Sequence, residues 1–263
     1  MPGRMTVPGR DRASDGGCGH HPGAREIGDS GKMVAMDAAF VLVHSPSVGP
    51  STWAPVAARL RAMGAAVVVP SLLGVADAEP PFWPRVAELV CGAAGELAAG
   101  QPVVLVAHSN AGLFLPVVVE ALDRPVAGCL FVDAGLPSRS GPTPVAPAEF
   151  MEFLRPKAVD GRLPPWTAWW DEAVVAPIFP DPATRALVTA EEPRLPLAYY
   201  EQSVPVPAGW DDRRCGYVLF SAAYEQTAQE ARERGWTVAH LPGLHLHQLV
   251  DPDAVAARIT TMA

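Results

Sequence analysis

From residue 38 onward the chain alternates short, wholly apolar runs with longer stretches of helical spacing. AFVLV (39–43) is apolar without interruption and rich in β-branched and aromatic side chains, the composition of a buried strand. The same signature recurs in AAVVVP (65–70), PVVLVA (102–107), AGCLFVD (127–133), GYVLFS (216–221) and WTVAHL (236–241). Between them, Ser51 or Thr52 is placed to cap a helix running to about Met63, which Gly64 ends. Residues 81–100 predict a second helix stopping at Gly100, and 110–122 a third, in which Pro116 should kink the axis or loosen one turn. EQTAQEARERG and DPDAVAARITTM supply two more. Strands apolar on both faces must be covered on both faces. The alternation therefore predicts an α/β fold, a doubly wound and mostly parallel sheet of about six strands flanked by helices.

Two segments break the rhythm. Residues 137–210 are Pro-rich and hold Phe150, Phe153, Trp166, Trp169, Trp170, Tyr199, Tyr200 and Trp210. So long a segment is no loop in a compact domain, and it is expected to form a mostly helical cap over the sheet's carboxyl edge, inserted in a single domain of residues 37–263. Residues 1–36 are rich in Gly, Arg and Asp, with no periodic apolar pattern and no apolar middle of a secretory signal. They read as a disordered extension, with Met33 and Met36 as alternative starts. Its His20 and His21 are expected to be a solvated pair, with no metal bound.

Charge narrows the function classes. The net charge is −8 and the pI about 5.3, so phosphate backbones and anionic lipid are repelled and neither nucleic acid nor membrane is an expected partner. No apolar stretch reaches the roughly 18 residues of a membrane span, and a cytoplasmic location is the default expectation. Cys18, Cys91, Cys129 and Cys215 are scattered without a CxxC pair and are expected to be free thiols. Oligomeric state is left open.

The chemistry concentrates where the third predicted strand meets its helix: Val106-Ala107-His108-Ser109-Asn110-Ala111-Gly112. This is a Gly-x-Ser-x-Gly elbow with Ala at both flanking positions. In such a turn strand and helix backbones nearly touch, so the residues two before and two after the serine must be small. Ala107 and Ala111 satisfy that requirement, and Gly112 next to Ala111 is smaller still. Ser109 would then stand at the amino end of a helix, where free N–H groups favour developing negative charge. A serine that merely caps the helix is the plainer alternative.

With that motif, LVHSPSVGPSTW, YVLFSAAYE and LPGLHLHQLVDPDAVA, the chain resembles the α/β-hydrolase superfamily of esterases, thioesterases and lactonases over residues 38–263. The resemblance implies Ser109 as nucleophile and His245 as general base, since Gly243, Asp251 and Pro252 frame His245 as the family frames its histidine. His247 would line the pocket. The orienting acid is implied just past the penultimate strand, at Glu225; a register shift of one would put Tyr224 there, which is no carboxylate. Asp133, at the end of the fourth strand, is the alternative. One oxyanion donor should be the N–H of Asn110. The other usually comes from the loop after the first strand, but the donor position there is Pro46, which has no N–H. Ser47 N–H or the Ser45 hydroxyl would have to substitute. His44 and His108 are expected to be structural. Trp53, Leu113, Trp166 and Trp169 are expected to line an apolar substrate pocket.

The resulting expectation is a serine hydrolase that cleaves an ester, thioester or lactone of a hydrophobic small molecule, with no cofactor and no metal. Pro46 and the unsettled acid motivate an alternative on the same fold: an acyltransferase, lyase or cyclase of specialised metabolism. A binding module that kept the fold without activity is a third reading, against which the Ser109–His245 pair argues.

Overall fold

The computed structural model describes residues 38–263. The expectations for residues 1–36, with Cys18 and the paired histidines, lie outside the described residues.

Strand β1 (Ala39–Val43) leads through a 3-10 turn at Pro50–Thr52 into α1 (Ala54–Ala62), and β2 (Val67–Val68) into α2 (Trp83–Ala94). Next, β3 (Val103–His108) runs into a 3-10 segment, Ser109–Phe114, which continues as α3 (Leu115–Ala121). Pro116 sits in the first turn of α3, where its missing N–H costs no helical bond. The expected single helix over 110–122 is therefore divided, with six residues of 3-10 helix, Ser109–Phe114, ahead of α3, and Pro116 starts the regular helix rather than kinking it.

Beyond β4 (Val126–Val132) comes the inserted segment: β5 (Thr143–Pro144), α4 (Ala148–Leu154), α5 (Glu172–Val175), α6 (Pro182–Glu191), α7 (Ala198–Glu201) and β6 (Ser203–Val204). Its short helices agree with the expected helical character. The expectation held no strand here, yet β5 and β6 pair antiparallel at its two ends and close it into a loop of structure. The chain returns through β7 (Arg214–Leu219), α8 (Glu225–Glu233), β8 (Thr237–His240), α9 (His247–Val250) and α10 (Pro252–Met262).

Six strands form one sheet in the order β2-β1-β3-β4-β7-β8, every neighbouring pair parallel. The pleat divides the side chains. Val41, Leu105, Cys129 and Tyr217 face one layer with α2, α3 and α8, while Leu42, Val106, Leu130 and Val218 face another with α1 and α10. Both layers are sealed from water, which is why the strands read as continuous apolar runs. Cys129 and Cys215 stand opposite each other on β4 and β7, and with Cys91 they are free thiols. No helix among the described residues is long and apolar enough to cross a membrane.

Candidate active site

Ser109 follows β3 with φ of +58°, in the left-handed region that costs a β-carbon-bearing residue roughly 1–3 kcal/mol. The close approach that holds it there is visible at Gly112. A Cβ on Gly112 would lie 2.3 Å from the carbonyl oxygen of Gly135 and 3.1 Å from Cβ of Ala134. The Gly135 N–H in turn donates to the Ser109 carbonyl, at 3.0 Å. The turn is thus strapped to the chain leaving β4, and small residues are obligatory there.

Ser109 Oγ lies 2.9 Å from Nε2 of His245, and Nδ1 of His245 lies 2.8 Å from Oδ2 of Asp133. Asp133 follows β4, also with positive φ (+43°), and has no exposed surface. Its carboxylate accepts from the N–H groups of Phe220 (2.9 Å) and Ser221 (3.0 Å), from Ser221 Oγ (2.6 Å) and from His245. Burial alone would raise this carboxyl. The hydrogen bonds from His245 and Ser221 outweigh it and hold Asp133 below the usual carboxylate range. An ionised Asp133 fixes the proton of His245 on Nδ1, leaving Nε2 as the acceptor that faces Ser109.

Three further contacts frame His245. Its carbonyl accepts from Nε2 of His108 at 2.8 Å, and the two rings lie 4.6 Å apart. Burial, with the neighbouring His245, depresses His108 to about 3, so it stays neutral. The ring of Tyr224 stacks on His245 at 5.1 Å and 4°. Trp166 lies 6.2 Å away on the insertion.

On the other side of β3, His44 pins the loop after β1. Its Nδ1–H donates to the Ser45 carbonyl (2.8 Å) and its Nε2 accepts from Leu72 N–H (3.0 Å), while burial depresses it to about 4. The loop is also clamped from above, since Ser51 N–H donates to Glu191 of α6 at 2.9 Å. Ser47 N–H turns back to Ser45 Oγ (3.3 Å), and Ser47 Oγ pairs with the Tyr200 hydroxyl (2.6 Å). The Asn110 side chain donates to the Val145 carbonyl (3.2 Å) and accepts from the Tyr199 hydroxyl.

Several expectations need correcting. Glu225 does not meet His245: it is exposed at the start of α8, and Asp133 takes the place beside the imidazole because β4 lies next to β3 and ends beneath the histidine loop. Trp53 lines no pocket. It is completely buried in the α1–α10 layer, edge-on to His108. Leu113 is likewise buried, packed under Gly135. His247 turns its ring to Phe220, on the opposite side of the sheet from Tyr217, and fills the space beside Gly243. Of the two insertion tryptophans expected in the pocket, Trp166 lies beside His245. Trp169 is buried against Phe150, Trp170 and Tyr200, its indole N–H spent on the Pro164 carbonyl at 2.9 Å. Tyr199, Tyr200 and Ser221 were not foreseen in their roles. The adjacent tyrosines in an aromatic insertion were a signal, whereas Ser221 carried none.

A family model described as the alpha/beta hydrolase family matches residues 40–258. The chain belongs to the alpha/beta hydrolase family. Among curated proteins it is 31% identical over 123 residues to a probable esterase, PIR7A, of Oryza sativa subsp. indica. That match covers 44% of this chain and 46% of the rice protein, so it spans less than half of that relative's length. Among solved structures, an extracellular alpha/beta-hydrolase from a Paenibacillus species superposes with a TM-score of 0.67 at 17% identity, over 86% of this chain and 99% of the other. It is described as sharing structural and functional homology with tobacco salicylic acid binding protein 2. Tomato methylketone synthase I complexed with 2-tridecanone superposes with a TM-score of 0.66 at 15% identity, over 86% and 97%. At these identities the likeness is one of fold. The relatives include esterases, and the fold also carries other chemistry.

Proposed function

We propose that this chain is a serine hydrolase that cleaves an ester, thioester or lactone of a hydrophobic small molecule through an acyl-enzyme on Ser109. One observation carries the reading: Ser109, His245 and Asp133 form a continuous hydrogen-bonded series, at 2.9 and 2.8 Å, with the serine on a strained turn. A serine that only capped its helix would need neither an imidazole within reach nor a buried carboxylate behind it.

In the proposed reaction Ser109 Oγ attacks the acyl carbon and gives its proton to His245 Nε2. Asp133 keeps its charge and stabilises the imidazolium. His245 then returns the proton to the leaving oxygen or sulfur, and water repeats the sequence to release the acid. Asn110 N–H, in the first helical turn, is free of helical bonds and is the first oxyanion donor. The second comes from Ser45 or Ser47, whose hydroxyl chain through Tyr200 supplies polar hydrogens where Pro46 has none. Trp166, Trp170 and Phe150 give the inserted cap the apolar character that favours a hydrophobic acyl group.

The test is covalent. A fluorophosphonate should label Ser109, located by mass spectrometry, and Ser109→Ala and His245→Ala should lose the label. Folded wild-type protein that takes no label, or takes it equally without His245, would overturn the reading.

A further inference from the structure

Ser109 Oγ has a second neighbour besides His245: the hydroxyl of Tyr224, at 3.5 Å. The direction of this contact follows from the others. His245 Nδ1–H is committed to Asp133, so Nε2 is the acceptor and Ser109 spends its only proton there. The phenol must therefore donate toward Oγ. The separation is long for a resting hydrogen bond, as is common in unliganded sites, where such bonds tighten once substrate is present.

Tyr224 is held for this position. It closes a 3-10 turn, Ala222–Tyr224, its N–H donating to the Ser221 carbonyl at 3.1 Å, directly after the strand end that also holds Asp133. The ring lies flat on the imidazole of His245. Burial pushes its phenol up to about 12, so the O–H remains a donor throughout the neutral range.

The sheet order decides which reacting oxygen this donor serves. The Ser45–Ser47 loop follows β1, on one side of β3; Tyr224 follows β7, two strands away on the other side. The oxyanion faces the first side. The leaving group must face His245, which protonates it, and Tyr224 covers that ring. We propose that Tyr224 is a further catalytic residue, donating a hydrogen bond to the leaving-group oxygen as the tetrahedral intermediate collapses, and that it fits the site for esters of alkyl alcohols. The proposal rests on the serine-hydrolase reading.

The step balances without the phenol giving up its proton. The bond from the acyl carbon to the leaving oxygen breaks, its electron pair stays on that oxygen, and the proton on His245 Nε2 completes the alcohol. Tyr224 O–H stabilises the charge that gathers before that proton arrives. An alkoxide is strongly basic and needs this help; 4-nitrophenolate needs little.

The experiment holds the acyl group constant and varies the alcohol. Tyr224→Phe should lose kcat/KM by roughly 100-fold on alkyl esters, the scale of removing one transition-state donor, and by less than about 5-fold on the 4-nitrophenyl ester. Fluorophosphonate should still label Ser109 in the variant, which checks that the serine and histidine remain assembled. A loss equal across the series, or no loss, overturns the assignment. A fluorotyrosine at 224, nearly isosteric, gives an independent reading should Tyr224→Phe fold poorly. It should shift the alkaline limb of the alkyl-ester profile to lower pH with its more acidic phenol, and an unmoved limb overturns the assignment as well. A wild-type protein with neither label nor turnover would remove the serine-hydrolase reading, and the role of Tyr224 with it.

Discussion

Asp133→Asn separates the two carboxylates that compete for the role behind His245. The substitution is nearly isosteric, and every contact it must replace is known. All four partners of Asp133 donate: His245 Nδ1–H and Ser221 Oγ–H to one oxygen, the N–H groups of Phe220 and Ser221 to the other. An asparagine has one acceptor oxygen. Backbone donors cannot rotate, so that oxygen stays with Phe220 and Ser221, and the amide NH₂ turns to His245. Nδ1 must then accept and the imidazole proton moves to Nε2, where it faces Ser109 in place of a base. An equivalent tautomer reversal in the serine proteases lowers kcat on the order of 10⁴-fold, about 5.5 kcal/mol of barrier. Losing charge assistance in a buried hydrogen bond costs about 2 kcal/mol of stability, which leaves a folded protein to assay. Glu225→Gln, at an exposed helix start, should stay within roughly 2-fold of wild type, as surface substitutions do. The measurements are hydrolysis of a 4-nitrophenyl ester, the rate of fluorophosphonate labelling and a denaturant melt of each variant. Activity of Asp133→Asn within 10-fold of wild type, or an equal loss in Glu225→Gln, would refute the tautomer argument.

The remaining predictions concern stability. Gly112→Ala drives a methyl group to 2.3 Å from the Gly135 carbonyl, a backbone atom that cannot swing aside; the overpacking should cost about 3 kcal/mol in urea melts, and a loss below about 0.5 kcal/mol would contradict the close approach. Acid should unfold the protein through its buried histidines: His44 and His108 titrate at about 4 and about 3 when folded, against 6.5 in the open chain. The unfolded state therefore takes up protons that the folded state refuses, and the stability they contribute is complete above pH 6.5 and falls as pH drops below it. Between about pH 5.5 and 4.5 the two together should remove about 2.5 kcal/mol per pH unit, and His44→Asn should roughly halve that slope; equal slopes for both proteins would count against a neutral buried His44.

What the sequence made legible, and what it did not, divides along one physical line. The central strands were readable because β1 and β3 are buried on both faces, so composition alone marks AFVLV or VVLVAH. Ser109 was readable because its turn imposes steric demands on residues next to it in the chain, Ala107, Ala111 and Gly112. These are local constraints. The choice between Asp133 and Glu225 is not local: it depends on which strand ends beneath the histidine loop, and β4, adjacent to β3, puts Asp133 there with Ser221 of the β7 end as its partner. Trp53 failed for the same reason, since an aromatic after the first loop reads alike whether it faces a pocket or the α1–α10 layer. The insertion showed its aromatic content but not its arrangement, because helices such as Glu172–Val175 and Ala198–Glu201 are too short to display a period. Tyr224 marks the furthest reach of this limit. Tyr224 precedes Glu225, the implied acid, and carries no signal of its own in the sequence, yet with the carboxylate at Asp133 it is the end of β7 that turns a phenol toward Ser109. Departures from a family's residue pattern are therefore informative in pairs: a missing group at one strand end gains meaning only when the group that replaces it is found at another.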